Sequence, residues 1–328
     1  MQSRKTSVDL WHQKPYYSLD AWCKNTYGRK LYKAALDIGC TCPNRDGTLD
    51  TRGCIFCSAG GSGDFAASRQ LSVTDQLNQA KALLSSKWTP EPGKPSLIAY
   101  FQAYTNTYGD PDRLLSCYEE ALSSPEVAGI SIATRPDCLS DIILEGLDRL
   151  QLLYPDRFIW IELGLQSIHD HTAARIRRGY PTSVFYDAAA KLHARRLPFI
   201  VHLILGLPGE TRLDLLESIR AVNQVHPFGV KLQLLHILKG TDLALLYEAG
   251  KLPVLTQEEY LDLLTSCIAA LSPDICLHRV TGDGPRKLLI APQWSLSKRN
   301  VLNGLHALMK QRNLRQGDNY EPGTSYTL

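Results

Sequence analysis

The residues of this 328-residue chain that are best suited to chemistry are the cysteines of one short loop. Cys42, Cys54 and Cys57 follow the spacing C-x11-C-x2-C, and Phe56 stands beside the last of them. Thiols this dense on a loop rich in Gly, Asn and Asp indicate a metal or cluster site. Three thiolates can hold three irons of a [4Fe–4S] cluster and leave the fourth open to a ligand. If Cys40 is counted, C-x-C-x11-C-x2-C is also a complete ligand set for structural zinc.

The composition limits the class of protein. A chain of 328 residues that is 44% hydrophobic can bury a large core, as one barrel-like domain with an extension or as two smaller domains. Its formal net charge of +3 permits a nucleic-acid partner without requiring one. The first residues lack the apolar region of a secretory signal and no run approaches 18 apolar residues, so we expect no membrane span. Nine cysteines in such a chain favour a reducing, cytoplasmic location.

Short apolar runs alternate with amphipathic runs of helical length, which is typical of βα units around a parallel sheet. Strands are predicted near residues 34–38, 96–102, 129–133, 158–163, 199–205 and 230–235. Helices are predicted near residues 73–86, 112–123, 140–150, 182–195, 213–225 and 241–249. Six such units predict an α/β fold that is either a partial (β/α)6 TIM-like barrel or an open parallel sheet.

The same pattern divides the chain into three parts. We expect residues 1–30 to form an N-terminal extension, residues 31–250 to form the (β/α)6 core, and residues 251–328 to form a C-terminal α/β extension. In that last part we expect a helix near 256–271, a strand near 275–280 and a helix near 297–311. Because both sheet types carry their chemistry at the carboxyl ends of the strands, the polar residues that follow each strand should converge with the cysteine loop.

Strings of residues at these strand ends match a known family. The loop string TCPNRDGTLDTRGCIFCSAGGSGDF is followed by YFQAYTNTY, ATRPDCLS, IELGLQS, HLILGLPGET, KLQLLHILKGT and APQW. Over nearly its whole length the chain resembles the radical S-adenosylmethionine (radical SAM) superfamily. Within that superfamily it is similar to the YtqA/YhcC-like (MnmL) branch, which is related to the elongator catalytic subunit.

The resemblance implies a radical SAM barrel with a [4Fe–4S] cluster on Cys42, Cys54 and Cys57, packed beside Phe56. S-adenosylmethionine would bind the open iron. An electron from a donor such as flavodoxin or ferredoxin would then cleave it to a 5′-deoxyadenosyl radical that abstracts a substrate hydrogen. Cys40 stands where we expect relatives to carry Phe. It is either an apolar filler of the core or a fourth ligand, which would block the open iron.

The resemblance also implies cofactor-binding roles for residues that follow the other strands. The loop after the second strand would hold the amino group of S-adenosylmethionine, through Gln102, Tyr104, Thr105 and Asn106. The later strands would contribute Thr134, Arg135, Glu162, Gln166, Ser167, Gly206, Pro208, Gly209, His236 and Lys239. Each position also has a structural interpretation, such as a polar turn, an ion pair of Arg135 or a structural histidine. Glu162, inside an apolar strand, needs a partner and is expected to point to the barrel mouth.

Residues outside these motifs leave further alternatives open. Basic clusters around Arg175, Arg195, Lys298 and Lys310 are either solvated helix faces or a phosphate-binding rim. Tyr180 stands where the family often has His, which puts proton transfer there in doubt and leaves base stacking open. Four residues of the C-terminal extension match family positions and would cap the barrel mouth: His278, Arg279, Asp283 and Trp294.

Three functions are consistent with these observations. The first is a radical SAM enzyme that acts on tRNA and converts carboxymethylaminomethyl-uridine at the wobble position to aminomethyl-uridine, a step to which members of this branch are linked. The second keeps the radical chemistry but takes a small-molecule or peptide substrate, which the weak net charge allows. The third is a non-enzymatic RNA-binding protein that zinc stabilises.

Overall fold

The protein is described by a computed structural model that covers residues 11–61, 63–84, 94–282 and 284–322. Seven parallel strands form one sheet that curls into a half-barrel. Six of them pair in chain order: β1 (Tyr32–Leu36), β2 (Leu97–Phe101), β3 (Val127–Thr134), β4 (Phe158–Gln166), β5 (Phe199–Leu205) and β6 (Gly229–Leu234). Two short strands, β7 (Ile237–Leu238) and β9 (Leu289–Ala291), pair antiparallel outside this sheet. The seventh parallel strand, β8 (Cys276–Arg279), lies beside β6.

Helices connect the strands. Before and between β1 and β6 the helices are α1 (Leu19–Tyr27), α2 (Val73–Leu84), α3 (Pro111–Ser123), α4 (Asp141–Leu153), α5 (Asp170–Arg175), α6 (Thr182–Ala194) and α7 (Arg212–Gln224). The helices that follow β7 are α8 (Asp242–Glu248), α9 (Gln257–Ala270) and α10 (Lys298–Gln311). Short 3-10 turns lie at Pro136–Cys138 and Gln293–Leu296.

The starts of several helices are encoded by their own residues. Asp110 caps α3 by accepting a hydrogen bond from a backbone N–H, and Pro at the first position sets the helical φ angle. Thr211 and Asp214 form a reciprocal capping box at the start of α7, as Thr256 and Glu259 do at α9. The cap at Asp110 therefore ends the loop between β2 and α3, and the cap at Thr211 ends the loop between β5 and α7. Both loops lie at the carboxyl edge of the sheet.

The distribution of apolar residues explains the parallel sheet. All five residues of β2 are buried, as expected of a strand that is covered on both faces. Leu77, Leu114 and Ile143 bring helices α2, α3 and α4 into the main core. Some strand positions instead carry polar side chains that are buried, among them Glu162 and Lys231. Buried polar groups of this kind are costly unless they are paired, and they mark the interior of the half-barrel as the place to look for a site.

The predicted α/β partial barrel is confirmed, and each predicted strand of the core matches an observed one with ends that differ by up to three residues. The strand predicted near 275–280 joins the main sheet as β8. Residues 17 and 18 lie along it, because the Leu277 N–H donates to the Tyr17 carbonyl at 2.7 Å. Neither α5 nor the β7–β9 pair is predicted from the sequence, since both are too short for a periodic pattern. The structure does not describe residues 85 and 86, which end the helix predicted near 73–86, or Asp283.

Candidate active site

The loop that follows β1 brings Cys42, Cys54 and Cys57 to the wall of a cavity of about 170 Å³ at the carboxyl edge of the sheet. The loop is held by its own hydrogen bonds. The Arg45 guanidinium donates to the carbonyls of Cys57 at 2.8 Å and Ser58 at 2.7 Å, and the Cys57 N–H donates to the Cys54 carbonyl at 3.1 Å. All three predicted ligands therefore face one space.

The spacing of these three thiols bears on which metal they suit. In the described parts of the chain, the one group of three ligand atoms that all lie within 4.8 Å of one another is that of His169, Asp214 and Glu217. The three thiol sulfurs are therefore not all within 4.8 Å of one another. Zinc–sulfur bonds of about 2.3 Å in a tetrahedron would bring the sulfurs roughly 3.8 Å apart. These three thiols therefore do not form a preformed, compact zinc site in the described structure.

Cys40 differs from the three cavity cysteines. It is 3% exposed and belongs to the main apolar core, and burial raises the pKa of its thiol to about 11. In contrast to the other three, its side chain is not part of the wall of the cysteine cavity. Burial, followed by the neighbouring thiols of Cys57 and Cys42, raises the pKa of Cys54 to about 12. A metal that binds Cys54 must displace this proton, so metal binding at the site depends on pH.

Most of the predicted cofactor-binding residues converge on the same cavity. Its lining includes Phe56, Gln102, Tyr104, Thr105, Thr134, Arg135, Glu162 and Gln166, which come from the cysteine loop and from the ends of β2, β3 and β4. Tyr104 is committed to the loop, because its hydroxyl donates to the Ala59 carbonyl and its ring occupies the space beside Gly61. The Thr134 hydroxyl is buried and shares a hydrogen bond of 2.5 Å with the Thr107 hydroxyl, so the amide groups of Gln102 and Gln166 are better suited to a polar ligand.

Other predicted residues lie elsewhere. Asn106 is fully buried, and its amide donates to the carbonyls of Phe101 and Ala133 at 3.0 Å each, so it ties β2 to β3. Ser167 is also fully buried and donates to the Glu210 carboxylate. Neither side chain lines the cysteine cavity. Both positions hold the strand ends in place and are not presented to a ligand.

The motif after β5 is organised by an arginine of α5. Gly206 and Gly209 have φ angles of +88° and +82°, a backbone region that favours glycine. The Arg175 guanidinium donates to the Pro208 carbonyl at 2.7 Å and would collide with any side chain at Gly209. Arg175 thus supports this turn and is not part of a free phosphate-binding rim. Gly206, Pro208 and Gly209 are not among the residues that line the cysteine cavity.

The two predicted residues after β6, His236 and Lys239, lie in different places, and neither lines the cysteine cavity. His236 lines a second cavity, where its Nε2 lies 3.2 Å from the Ser295 hydroxyl. Lys239 is exposed, its backbone N–H donates to the Leu288 carbonyl at 2.8 Å, and its side chain lines neither cavity.

Arg135 forms an ion pair with Asp137 inside the protein, which is the structural one of the two roles considered for it from the sequence. Its Nε and Nη2 donate to the two carboxylate oxygens of Asp137 at 2.9 and 2.7 Å. The ring of Tyr180 lies 5.0 Å from the Arg135 guanidinium and 4.6 Å from that of Arg178, and its hydroxyl donates to the Gly164 carbonyl. Tyr180 is therefore engaged inside the protein and does not offer an open ring for base stacking.

Glu162 is the centre of a buried polar network. Its carboxylate accepts hydrogen bonds from Lys33 at 2.9 Å, Ser131 at 2.6 Å and His202 at 2.8 Å, and from the ammonium of Lys231. Burial alone would raise the pKa of Glu162, but the charges of Lys231 and Lys33 lower it well below its usual value. Burial and the charge of Lys231 lower the pKa of His202 to about 4, so this imidazole is neutral at pH 7. Glu162 is thus fully buried inside the barrel, and its charge is balanced by the partners that a carboxylate in an apolar strand needs.

A second, wider cavity of about 560 Å³ adjoins the first. Both cavities are lined by Phe56, Tyr100, Gln102, Gln233 and Arg279. The wall of the wider one also carries Lys33, Arg286, Lys298 and Phe65, whose side chain is 54% exposed. Cationic groups and an exposed aromatic ring are a combination that suits anionic, flat molecules.

Five lining residues are not among the site residues predicted from the sequence, although the first four lie within the quoted motif strings: Tyr100, His202, Gln233, Phe65 and Arg286. For part of this set a signal is present in the sequence. Lys231 and Gln233 stand two residues apart on β6, so this pair of polar side chains points to one face of an otherwise apolar strand, and Tyr100 and Gln102 have the same spacing across the end of β2. Phe65 and Arg286 lie on loops, where no periodicity marks them.

In the described part of the chain, no helix combines the length and the apolar character that crossing a membrane requires.

Comparison with known proteins identifies the family. The model of the Radical SAM superfamily matches residues 42–222, which is more than half of the chain, and the model of the Radical_SAM C-terminal domain matches residues 227–311. The chain belongs to the radical SAM superfamily. It is therefore a radical SAM enzyme, and the cofactors of this superfamily are a [4Fe–4S] cluster and S-adenosylmethionine.

Two curated radical SAM relatives cover most of the chain. YtqA of Bacillus subtilis is 40% identical over 305 residues, which are 93% of this chain and 92% of that protein. YhcC of Escherichia coli K12 is 36% identical over 271 residues, which are 82% and 84% of the two chains. The solved structure of Elp3 from Methanocaldococcus infernus superposes with a TM-score of 0.64 at 16% identity, over 87% of this chain and 64% of that one. The structural likeness shows that the fold is shared.

The residues present fit the cofactors of the superfamily. Three thiols face one cavity, and its other walls carry the amides of Gln102 and Gln166 together with charged side chains such as Arg135 and Glu162. Cys40 is buried in the core, so the wall of the cavity offers three of the four thiols of the loop. Three ligands leave one iron of a [4Fe–4S] cluster available to S-adenosylmethionine.

Proposed function

We propose that this radical SAM enzyme modifies tRNA, converting carboxymethylaminomethyl-uridine at the wobble position to aminomethyl-uridine. The observation that carries the proposal is the wide cavity beside the cysteines, with Lys33, Arg279, Arg286 and Lys298 in its wall. A nucleotide brings phosphates and a flat base, and the group to be removed ends in a carboxylate, so cationic walls suit the substrate at several points. The resemblance to the YtqA/YhcC-like branch supports the same substrate.

Within this proposal Cys42, Cys54 and Cys57 hold the cluster, and the cysteine cavity takes S-adenosylmethionine. When bound, these cofactors supply the radical that removes a hydrogen from the substrate. Gln102 and Gln166 would orient the polar groups of S-adenosylmethionine. Apolar cover by Phe56, which lines both cavities, would keep water from the space between cofactor and substrate.

In the wider cavity the exposed ring of Phe65 is placed to stack on an unpaired base, since single-stranded nucleotides are commonly held in this way. The side chains of Arg286 and Lys298 are also exposed and would contact phosphates. Radical SAM enzymes need a reductant, and we propose flavodoxin or ferredoxin for this role.

Mass spectrometry of tRNA nucleosides from cells with and without the gene tests the substrate. Deletion should cause the carboxymethylaminomethyl nucleoside to accumulate, and the wild-type gene should restore the aminomethyl form. A gene that encodes Cys42→Ala should not restore it, because the cluster loses a ligand. The matched variant Cys40→Ala should restore it. An unchanged nucleoside profile after deletion would contradict the tRNA proposal and favour a small-molecule or peptide substrate.

A further inference from the structure

Two side-chain N–H groups point at two of the three thiols of the cysteine cavity. The Asn44 Nδ2 lies 3.5 Å from the Cys54 sulfur, and the Arg135 Nη1 lies 4.0 Å from the Cys42 sulfur. Both donors are well shielded from solvent, with 1% of Asn44 and 8% of Arg135 exposed. Hydrogen bonds to sulfur are weak in water and matter most where water is excluded, as here.

Both donors are held by the same short segment. The Asn44 amide also donates to the carbonyls of Arg177 at 2.7 Å and Arg178 at 3.1 Å, and the Arg135 Nη1 donates to the Arg178 carbonyl at 2.9 Å. Gly179 follows with a φ of +85°, and a Cβ there would lie 2.5 Å from the Asn44 Oδ1. The segment therefore fixes the direction of both N–H groups and requires glycine to leave room for Asn44.

The charge of Arg135 is already balanced. Its guanidinium forms a two-point pair with Asp137, so the pair presents an N–H group to the Cys42 sulfur with little net charge. Asn44 is uncharged as well. The structure thus has two neutral donors at the sulfurs and one carboxylate, Asp137, whose removal would leave a positive charge beside Cys42.

We propose that Asn44 and the Arg135–Asp137 pair are positioning residues that set the reduction potential of the cluster on Cys42, Cys54 and Cys57. A reduced cluster carries one more negative charge than the oxidised cluster, so N–H donors and positive charge near its sulfurs stabilise the reduced form. Donor removal lowers the potential, and removal of the Asp137 charge raises it. The opposite signs distinguish tuning from general damage to the fold.

The test is a spectroelectrochemical titration of the anaerobically reconstituted full-length protein, followed by electron paramagnetic resonance. Asn44→Ala and Arg135→Gln should each lower the ratio of reduced to oxidised cluster about tenfold at a fixed potential, equivalent to 59 mV for one electron. Asp137→Asn should raise it. Asn44→Asp, which keeps the size of the side chain and replaces the donor by a carboxylate oxygen, should lower it at least as far as Asn44→Ala.

Asn223→Ala is the matched control. Asn223 is a buried asparagine of α7 that bonds Ala270 and Ser272 and does not line the cysteine cavity, so its loss should leave the potential unchanged. Equal potentials for Asn44→Ala and Asn223→Ala would overturn the proposal, as would shifts of the same sign for Asn44→Ala and Asp137→Asn. Loss of iron from Asn44→Ala with an unchanged circular dichroism spectrum would also overturn it, in favour of cluster retention.

Discussion

At the scale of single residues, the four thiols of the loop divide into three that face the cavity and one that packs in the core. Cys42, Cys54 and Cys57 line the cavity, whereas Cys40 is a small apolar group among buried neighbours. Cys40 lies in the segment that follows β1 and packs in the main core, and the chain turns directly after Cys42, whose carbonyl accepts a hydrogen bond from the Arg45 N–H at 2.8 Å. One loop thus supplies both a core residue and the three thiols that we propose as cluster ligands.

This division makes a prediction for alanine variants. Cys42→Ala should abolish iron binding and the formation of 5′-deoxyadenosine, because two thiols cannot hold the cluster. Cys40→Ala should keep both and lose about 1 kcal/mol of folding stability through a small cavity. Iron analysis, chromatography of the nucleoside product and urea unfolding of the two variants measure these outcomes. Equal loss of iron in both variants would mean that Cys40 is a ligand.

The Glu162 network makes a second prediction. Glu162→Gln leaves the buried Lys231 ammonium without its counter-charge and should cost about 3–5 kcal/mol. The double variant Glu162→Gln with Lys231→Met removes the buried charge as well and should recover much of this loss. Lys33, which is 21% exposed at its side chain, can turn its charge towards water. Denaturant unfolding compares the two variants, and equal stabilities would show that the ion pair is not the cause.

At the scale of elements, the segment between α5 and α6 organises the site without lining much of it. Arg178 is 1% exposed and donates to the carbonyls of Leu165, Ser167 and Tyr180, so it joins the end of β4 to this segment. Arg178 belongs to a basic cluster that the sequence offers as a possible phosphate-binding rim, but its guanidinium bonds backbone carbonyls inside the protein. Its neighbour Gly179 provides the room that Asn44 needs.

Two glycines test this role. Gly179→Ala should destabilise the protein by about 1–3 kcal/mol through backbone strain, and it should in addition push the Asn44 side chain away. Gly250→Ala carries comparable strain at φ +70°, but a Cβ there meets nothing within 4 Å. Unfolding measurements should therefore show a smaller loss for Gly250→Ala. If both losses were the same, the contact with Asn44 would not be the reason for glycine at position 179.

At the scale of the whole molecule, the open half-barrel places a narrow cavity with thiols beside a wide cavity with cationic walls. Arg279, on β8, lines both, so the last strand of the sheet closes the site as well as the fold. The overall charge of only +3 hides this local concentration of positive charge. Local charge at the site, more than net charge, governs attraction of a polyanion.

The charge distribution gives a prediction for tRNA binding across salt concentrations. The double variant Arg286→Gln with Lys298→Gln should reduce the slope of log affinity against log salt by about 1.4, since each contact to a single-stranded phosphate contributes roughly 0.7. Lys310→Gln with Arg315→Gln is the matched control, because both residues are exposed and neither lines the cavities. Filter binding at several salt concentrations measures both. Identical slopes for the two double variants would mean that Arg286 and Lys298 do not contact the phosphates of the tRNA.

The sequence by itself determined the βα order, the cysteine loop as the candidate metal site and the strand ends that carry polar residues. These properties depend on local spacing and periodicity, which neighbours along the chain encode. Only the tertiary structure decided that Cys40 is core, that Asn106 and Ser167 face inward, and that Arg135 and Arg178 bond within the protein. A side chain's direction at a strand end depends on partners that are distant in sequence, such as Asn44 and the Arg177 and Arg178 carbonyls. The wide cationic cavity is likewise a product of packing, because Lys33 of β1 and Lys298 of α10 line one cavity only in the folded chain.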